Sequence, residues 1–161
     1  MSGTVLGVFH GVVSTSSLSE AVRYYRDLLG LKVTFDDYHD PDAISALFGY
    51  TKPVVHAVIV SCPDGSEIEL VEFESPRGRA LVQREAADAG LLSINLRVDG
   101  IAAIVERMRG AGYEPHSDIV PQTLPDGGMI KVAVCRAPDG VTIILVDLQG
   151  RESLAVPGAA S

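Results

Sequence analysis

The sequence predicts an α+β fold of two βαβββ modules, whose curved sheets pair around a central pocket. Residues 62–72 resemble residues 137–147, because each stretch passes through a Pro-Asp-Gly turn into an apolar strand that ends in an acid. A strand that leads into a helix also recurs, at residues 10–18 and 93–101. A polar stretch separates the halves, which predicts modules over 1–74 and 91–148, a linker over 75–90 and a flexible tail over 149–161.

Hydrophobic periodicity and turn residues predict the elements of the first module. Apolar runs indicate strands over residues 5–13, 31–38, 53–61 and 66–73. Ser17 and Glu20 have the spacing of a capping box, so a helix begins there, and Gly30 ends it. Residues 39–52 form an acidic connection in which 43–47 predict one helical turn.

The second module repeats this order. A helical stripe of Ile101, Ile104, Val105 and Met108 predicts a helix that ends at Gly110 and Gly112. Residues 121–128 are rich in turn formers and predict a loop. The strands of this module are expected over 91–98, 113–120, 129–136 and 141–148.

Composition argues against several classes of protein. A net charge of −8 disfavours nucleic acid and anionic membranes as partners, because both attract basic surfaces. No segment approaches the run of about 20 apolar residues that crosses a bilayer, and no signal peptide is evident. The two cysteines, Cys62 and Cys135, make neither a disulfide framework nor a zinc motif. We therefore expect a soluble cytoplasmic protein.

Glu69 is the residue that most needs an explanation. Strand alternation places it on one face with Glu67, Val71 and Phe73. A carboxylate within an apolar strand is costly unless it is paired, solvated in a pocket or bound to a cation. Glu69 is therefore either a paired sheet carboxylate, with Arg97 as the candidate partner, or a functional group.

Three motifs together resemble the vicinal oxygen chelate superfamily, which includes glyoxalase I, methylmalonyl-CoA epimerase, extradiol dioxygenases, and fosfomycin and bleomycin resistance proteins. They are FHGVV at 9–13, the helix end YYRDLLGL at 24–31, and the two Pro-Asp-Gly turns, the first of which leads to Ile68-Glu69-Leu70. The resemblance covers about residues 6–148. It implies the paired-module fold, a small-molecule ligand and a homodimer.

The resemblance also implies where a metal would bind. In metal-dependent members each module supplies one ligand from its first strand and one from its fourth. The first module matches with His10 and Glu69, whereas the second matches with Ser93 and Ile144. Because six-coordinate ions need more donors than these, we expect either no cofactor or a weakly held divalent metal. His56, on the third strand, is the best available third ligand, which gives the set His10, Glu69 and His56.

The remaining pocket-facing positions are expected to bind substrate. Arg97 would attract a carboxylate or phosphate group. His39 lies in a polar stretch and is expected to be a solvated surface residue. Asp147 has the opposite strand parity from Ile144 and is expected to point away from the pocket. The predicted substrate-binding residues are Ser93, Asn95, Arg97, Ile144, Glu67 and Phe73.

Three functions are consistent with these residues. The first is acid–base chemistry on a carbonyl-containing metabolite, as in an isomerase, epimerase, cyclase or lyase, with Glu69 and His10 as the catalytic residues. The second is a metal-dependent glyoxalase- or dioxygenase-like enzyme with a reduced ligand set. The third is a protein that sequesters an antibiotic or metabolite. The first is favoured, because it needs only the two groups that the sequence supplies.

Overall fold

A computed structural model of the chain describes residues 3–79, 85–91 and 93–152. The chain divides into two compact units, Met1–Leu81 and Val82–Ser161, and the division falls within the stretch predicted as a linker. No helix in the described part of the chain is long and apolar enough to cross a membrane. Each unit contains one four-stranded sheet.

The first module has the predicted order of elements, with a second helix added. Its sheet has the strand order β1-β4-β3-β2, in which β1 runs parallel to β4 and the other neighbours are antiparallel. The elements are β1 (Gly11–Ser14), α1 (Leu18–Val22) with a π-helical continuation (Arg23–Leu28), β2 (Lys32–Tyr38), α2 (Pro41–Phe48), β3 (Val54–Ser61) and β4 (Glu67–Ser75).

The predicted start of α1 is confirmed. The Ser17 hydroxyl accepts the Glu20 amide, which satisfies one of the N–H groups that a helix leaves unpaired at its start. Leu18, Ala21 and Tyr25 are buried. Burial raises the pKa of the Tyr25 hydroxyl far above its ordinary value, as befits a packing residue.

The first strand is shorter than predicted. Residues 5–13 were expected to be extended and paired, but β1 comprises only Gly11–Ser14. Gly11 pairs with Ile68, next to the first residue of β4, so the chain before Gly11 has already passed the end of its partner strand. Val5, Leu6 and Val8 are consequently exposed.

Helix α2 is longer than the single turn that the sequence predicted. Asp40 caps its first turn by accepting the Asp42 amide, and Gly49 ends it with a left-handed φ of 75°. Ile44 is the buried residue of this helix, and it belongs to one hydrophobic cluster with Val55, Ala57 and Val71 of the sheet. The connection after β2 therefore folds back over the sheet, which positions the candidate site.

The second module repeats the topology of the first, which confirms the predicted α+β fold of two βαβββ units. Its strand order is β5-β8-β7-β6, with β5 parallel to β8. The repeated order means that the two first strands and the two fourth strands are equivalent. The elements are β5 (Ile94–Val98), α3 (Ile101–Gly110), β6 (Val120–Thr123), β7 (Met129–Arg136), a 3₁₀ turn (Pro138–Gly140) and β8 (Thr142–Asp147).

Strand β6 begins at the residue where the predicted strand ends. The sequence indicated residues 113–120, whereas Val120–Thr123 pair with β7. The Leu124 amide donates to the Gly128 carbonyl, which closes a tight hairpin and fixes this register. Residues 121–128, expected to be a loop, therefore contribute part of a strand.

The second module continues past the end predicted for it. Arg151 forms an ion pair with Asp126, and this contact lowers the pKa of the Asp126 carboxyl to about 2. The predicted tail began at 149, so its first residues pack onto the module. Residues 153–161 lie outside the described residues.

Candidate active site

Glu69 lies in the middle of β4 and is 8% exposed. It pairs with Val12 of β1 on one side and with Ile59 of β3 on the other, and Ile59 pairs in turn with Phe35 of β2. Residues directly opposite each other in a sheet point to the same face. Glu69 is therefore the one carboxylate in a cross-strand row that is otherwise apolar, and its charge needs partners.

The firmest of these partners is His39. Its Nε2 lies 2.8 Å from Oε1 of Glu69. The carboxylate can only accept, so Nε2 carries the proton and donates it. His39 follows β2 immediately, and its amide donates to the carbonyl of Val55 at 2.9 Å. The sequence predicted a solvated surface position for His39, and its side chain is indeed 33% exposed, but its contact with Glu69 was not expected.

The position of His39 depends on α2. Asp40, the next residue, caps that helix, and Ile44 holds the helix against the sheet residues that neighbour Glu69 on β3 and β4. The Asp-Pro start and Gly49 stop of this helix were visible in the sequence as capping signals. They were the available sign that residues 39–52 form more than a solvated loop.

His10 lies on the other side of the carboxylate, one residue before β1. Its Nε2 is 3.5 Å from Oε2 of Glu69, which is an ion-pair distance and too long for a good hydrogen bond. Its Nδ1 is buried and has no hydrogen-bond partner among the described residues. The predicted pair of His10 and Glu69 is thus brought together, but His39 rather than His10 makes the short contact.

The two other predicted residues of the first module do not touch Glu69 through any described hydrogen bond. Glu67 accepts a hydrogen bond from the Ser61 hydroxyl at 2.9 Å. Phe73 packs edge-to-face on Tyr50, with ring centroids 5.7 Å apart, beside the cluster under α2. Both lie on the Glu69 side of β4, as strand alternation predicted, and a role in binding substrate stays a prediction for each.

The placement of His56 requires a correction to the predicted ligand set. His56 pairs in register with Glu72 on β4 and with Tyr38 on β2, which puts it on the opposite face from Glu69. Its Nε2 contacts Asp36 Oδ1 at 2.7 Å, and its ring stacks on Tyr38. The set of His10, Glu69 and His56 is therefore not assembled.

The predicted residues of the second module form no charged site of their own. The Ser93 hydroxyl donates to Asn95 Oδ1 at 2.6 Å, and Arg97 donates to the carbonyl of Glu152 at 3.0 Å. Ile144 pairs with Asn95 and Val134 and offers no donor atom. The ion-pair partners described for Glu69 are the two histidines of its own module, and its pairing with Arg97 of the second module stays a prediction.

The side chains around Glu69 do not fit a resident metal ion of the kind that the resemblance implies. No three histidine, cysteine or acidic residues in the described part of the chain are grouped so that they could hold a metal. The Nε2 of His39 is instead engaged directly with the carboxylate that would be its fellow ligand. A stable six-coordinate site needs three or four converging protein donors.

The carboxyl group of Asp147, at the end of β8, has a structural role. Asp147, 4% exposed, accepts the Ile101 amide at 3.2 Å, where α3 begins, and the Gln149 amide at 3.0 Å. Burial raises the pKa of Asp147, but backbone hydrogen bonds, including one from Gly100, outweigh it and leave the pKa below its ordinary value. The expectation that Asp147 points away from Ile144 agrees with these contacts.

Two four-stranded modules of the same topology, the first with a buried carboxylate between two histidines, define a class of α+β proteins built from two βαβββ modules. The chain belongs to the Glyoxalase/Bleomycin resistance protein/Dioxygenase superfamily, whose family model matches residues 7–145. This membership agrees with the resemblance that the sequence motifs carry.

One curated relative is the lactoylglutathione lyase-like protein terB of Aspergillus terreus (strain NIH 2624 / FGSC A1156). It is 30% identical over 148 residues, which cover 86% of this chain and 74% of the relative. A glyoxalase family protein from Bacillus cereus has the same fold, with a TM-score of 0.80 and 21% identity over 90% of this chain and 95% of that one. The trypanothione-dependent glyoxalase I of Leishmania major aligns with a TM-score of 0.60 and 18% identity over 88% and 86% of the two chains.

Proposed function

We propose that this protein is an enzyme that moves a proton at a carbon next to a carbonyl group of a small metabolite, with Glu69 as the general base. The observation that carries the proposal is the buried Glu69 carboxylate, held by His39 at Oε1 and faced by His10 at Oε2. Burying an ionised carboxylate costs several kcal/mol unless partners compensate. Buried charges of this kind are typical of functional sites, where the charge takes part in binding or catalysis.

The two carboxylate oxygens differ in a way that suits this chemistry. Oε1 is occupied by the His39 donor, whereas the contact described for Oε2 is the longer one to His10. Oε2 is therefore the oxygen proposed to take the proton from a C–H bond, whose electrons pass into an enolate. His10, beside the same oxygen, is placed to donate a hydrogen bond from Nε2 to the enolate oxygen.

The name of the fungal relative suggests a first substrate to test. Lactoylglutathione is formed from the hemithioacetal of methylglyoxal and glutathione when a proton leaves one carbon and another is added to the neighbouring carbon. This is the class of step that one carboxylate can perform in both directions. Isomerase and lyase activities on other carbonyl compounds use the same first step.

The decisive experiment is solvent-deuterium exchange followed by proton NMR. The probes are the hemithioacetal of methylglyoxal and glutathione, and hydroxyacetone as a thiol-free carbonyl compound. We expect the wild type to exchange carbon-bound hydrogen in at least one probe, and Glu69→Gln to lower that rate by at least about 100-fold. Glu74→Gln is the matched control, because Glu74 is exposed and bonds the Tyr38 hydroxyl.

Two results would contradict the proposal. If Glu69→Gln retains the wild-type exchange rate, Glu69 is not the base. If the wild type binds a probe saturably and exchanges nothing, sequestration becomes the better explanation. We also expect exchange to survive dialysis against EDTA, because the donor set around Glu69 does not fit a metal site; loss of exchange that manganese, nickel or zinc restores would favour the metal-dependent alternative.

The predicted homodimer and the cytoplasmic location stay predictions. Light scattering on the purified protein measures the oligomeric state directly. A monomer at micromolar concentration would contradict the first of them.

A further inference from the structure

His39 connects two environments that differ in their access to water. Its side chain is 33% exposed, whereas the side chain of Glu69 is 10% exposed. The Nε2 end of the ring touches the carboxylate at 2.8 Å. The ring of His39 therefore spans the distance between a buried proton acceptor and a solvent-accessible part of the first module.

His10 offers no comparable route. Its side chain is 18% exposed, and its Nδ1 is buried with no hydrogen-bond partner in the described part of the chain. Its Nε2 lies 3.5 Å from Oε2, so proton transfer along that contact would first require a shorter approach. Of the two histidines at Glu69, His39 is the one that combines a short contact to the buried carboxylate with a solvent-accessible side chain.

We propose that His39 is a proton relay between Glu69 and solvent. This inference rests on the proposed function of Glu69, and His39 acts through Glu69 rather than on the substrate. A neutral imidazole can take up a proton at one nitrogen while it gives one up at the other. The contact in the structure supplies the inner half of that pathway, and the partial exposure of the His39 side chain supplies the outer half.

The transfer balances without any further reactant. A proton from water or buffer bonds to Nδ1, the Nε2–H bond breaks, and the released proton bonds to Oε1. Glu69 becomes a neutral acid that can protonate a carbanion, and His39 is left as its neutral Nδ1–H tautomer. After proton abstraction, the carboxyl group turns so that the proton taken up by Oε2 faces His39, which is then in its neutral Nδ1–H tautomer. The O–H bond of Glu69 breaks, the Nε2–H bond forms, and the Nδ1 proton leaves to solvent.

The competing explanation is that His39 only holds Glu69 in place. A purely positioning histidine would affect the rate of proton abstraction, but it would not decide where the abstracted proton goes. The fate of an isotope label separates the two roles. Methylglyoxal with deuterium on the aldehyde carbon, combined with glutathione in ordinary water, gives lactoylglutathione that either keeps the label at the neighbouring carbon or has lost it.

The variant to compare is His39→Gln, since a glutamine amide can still donate to Oε1 but cannot pass a proton through. We expect the wild type to release most of the label to solvent, and His39→Gln to release at least about tenfold less label per turnover. His116→Gln is the control, because His116 is an exposed residue of the second module. Added imidazole should restore label loss in His39→Ala, a signature of a missing relay.

A second measurement needs no substrate. Long-range proton–nitrogen NMR of the histidine rings should show His39 with its proton on Nε2, and the Nε2 resonance should shift in Glu69→Gln. A His39 ring with its proton on Nδ1 would overturn the relay, because Nε2 would then have no proton to give. This readout also shows whether the variants fold.

The outcomes separate this inference from the proposed function. If Glu69→Gln abolishes turnover while His39→Gln retains the wild-type loss of label, the role of Glu69 as general base is supported and the relay is refuted. If His39→Gln lowers turnover without changing the label ratio, and imidazole restores nothing, His39 is a positioning residue and the relay is again refuted. If Glu69→Gln is fully active, the proposed function itself fails.

Discussion

Both modules have a carboxylate on the fourth strand that contacts the start of the first helix, but they differ three residues before that carboxylate. Glu72 of β4 accepts the Leu18 amide at 2.8 Å, and Asp147 of β8 accepts the Ile101 amide at 3.2 Å. Leu18 and Ile101 are the first residues of α1 and α3. Both modules thus use a strand carboxylate to satisfy the start of their first helix, a position that favours negative charge.

Glu69 and Ile144 stand at the equivalent position within the pattern. Each pairs with the second residue of a parallel first strand, Glu69 with Val12 and Ile144 with Asn95. The second module folds to the same topology with an isoleucine there. A carboxylate at this position is therefore not needed to build the module, whereas the helix-start carboxylate occurs in both. This contrast is the strongest internal argument that Glu69 serves a function.

The largest expected effect on stability comes from the helix-start carboxylate that both modules share. Asp147→Ala should lower the free energy of unfolding by about 3 kcal/mol, since two backbone amides lose a buried charged acceptor. Glu72→Ala should cost about 1 kcal/mol, because the Glu72 side chain is partly exposed and accepts one such amide. Urea titration measures both. Equal and negligible losses would show that the helix-start acids are dispensable.

The second-largest effect is expected from placing a carboxylate in the second module at the position equivalent to Glu69. Ile144→Glu should lower the free energy of unfolding by about 2 kcal/mol, because the new carboxylate takes the place of a half-buried apolar side chain and Ser93 stands where His10 stands in the first module. Ile144→Leu is the control for packing. If Ile144→Glu leaves the free energy of unfolding unchanged, Glu69 needs no special partners either.

The reciprocal change should have a smaller effect on stability, with the opposite sign. Glu69→Ile removes the cost of desolvating a charge, so we expect a gain of about 1 kcal/mol together with complete loss of proton exchange. Urea titration and the deuterium assay are run on the same preparation. A loss of stability as large as that of Asp147→Ala would instead make Glu69 a structural residue.

The smallest and most gradual effect is the dependence of stability on acid. The pKa of Asp147 is lower in the folded protein than in the unfolded chain, where it is about 3.9. Its contribution is therefore fully present above that value and is lost as the pH falls towards the folded-state pKa. The stability difference between wild type and Asp147→Asn should shrink as urea titrations move from pH 6 to pH 3. A constant difference would contradict the lowered pKa.

The fold was largely accessible from the sequence, but some element boundaries were not. The repeated Pro-Asp-Gly turns and the capping box marked the order of elements, because these signals act within a few residues. The start of β1 and the position of β6 depend on where a partner strand begins and on how a hairpin closes, as the pairs Gly11–Ile68 and Val120–Val132 show. Those are contacts between segments distant in the chain.

The residues alone show that Glu69 is a carboxylate within an apolar strand, and that Ile144 takes its place in the second module. Both follow from the two-residue period of a strand and from the repeated turn before it, which are local signals. Which histidine meets the carboxylate depends instead on how distant elements pack. His39 and Glu69 are 30 residues apart, and the burial of Ile44 of α2 against the sheet brings them together, while strand register turns His56 to the other face. Packing between distant elements has no short-range signature in the chain, so the partner of Glu69 was not predictable from the sequence.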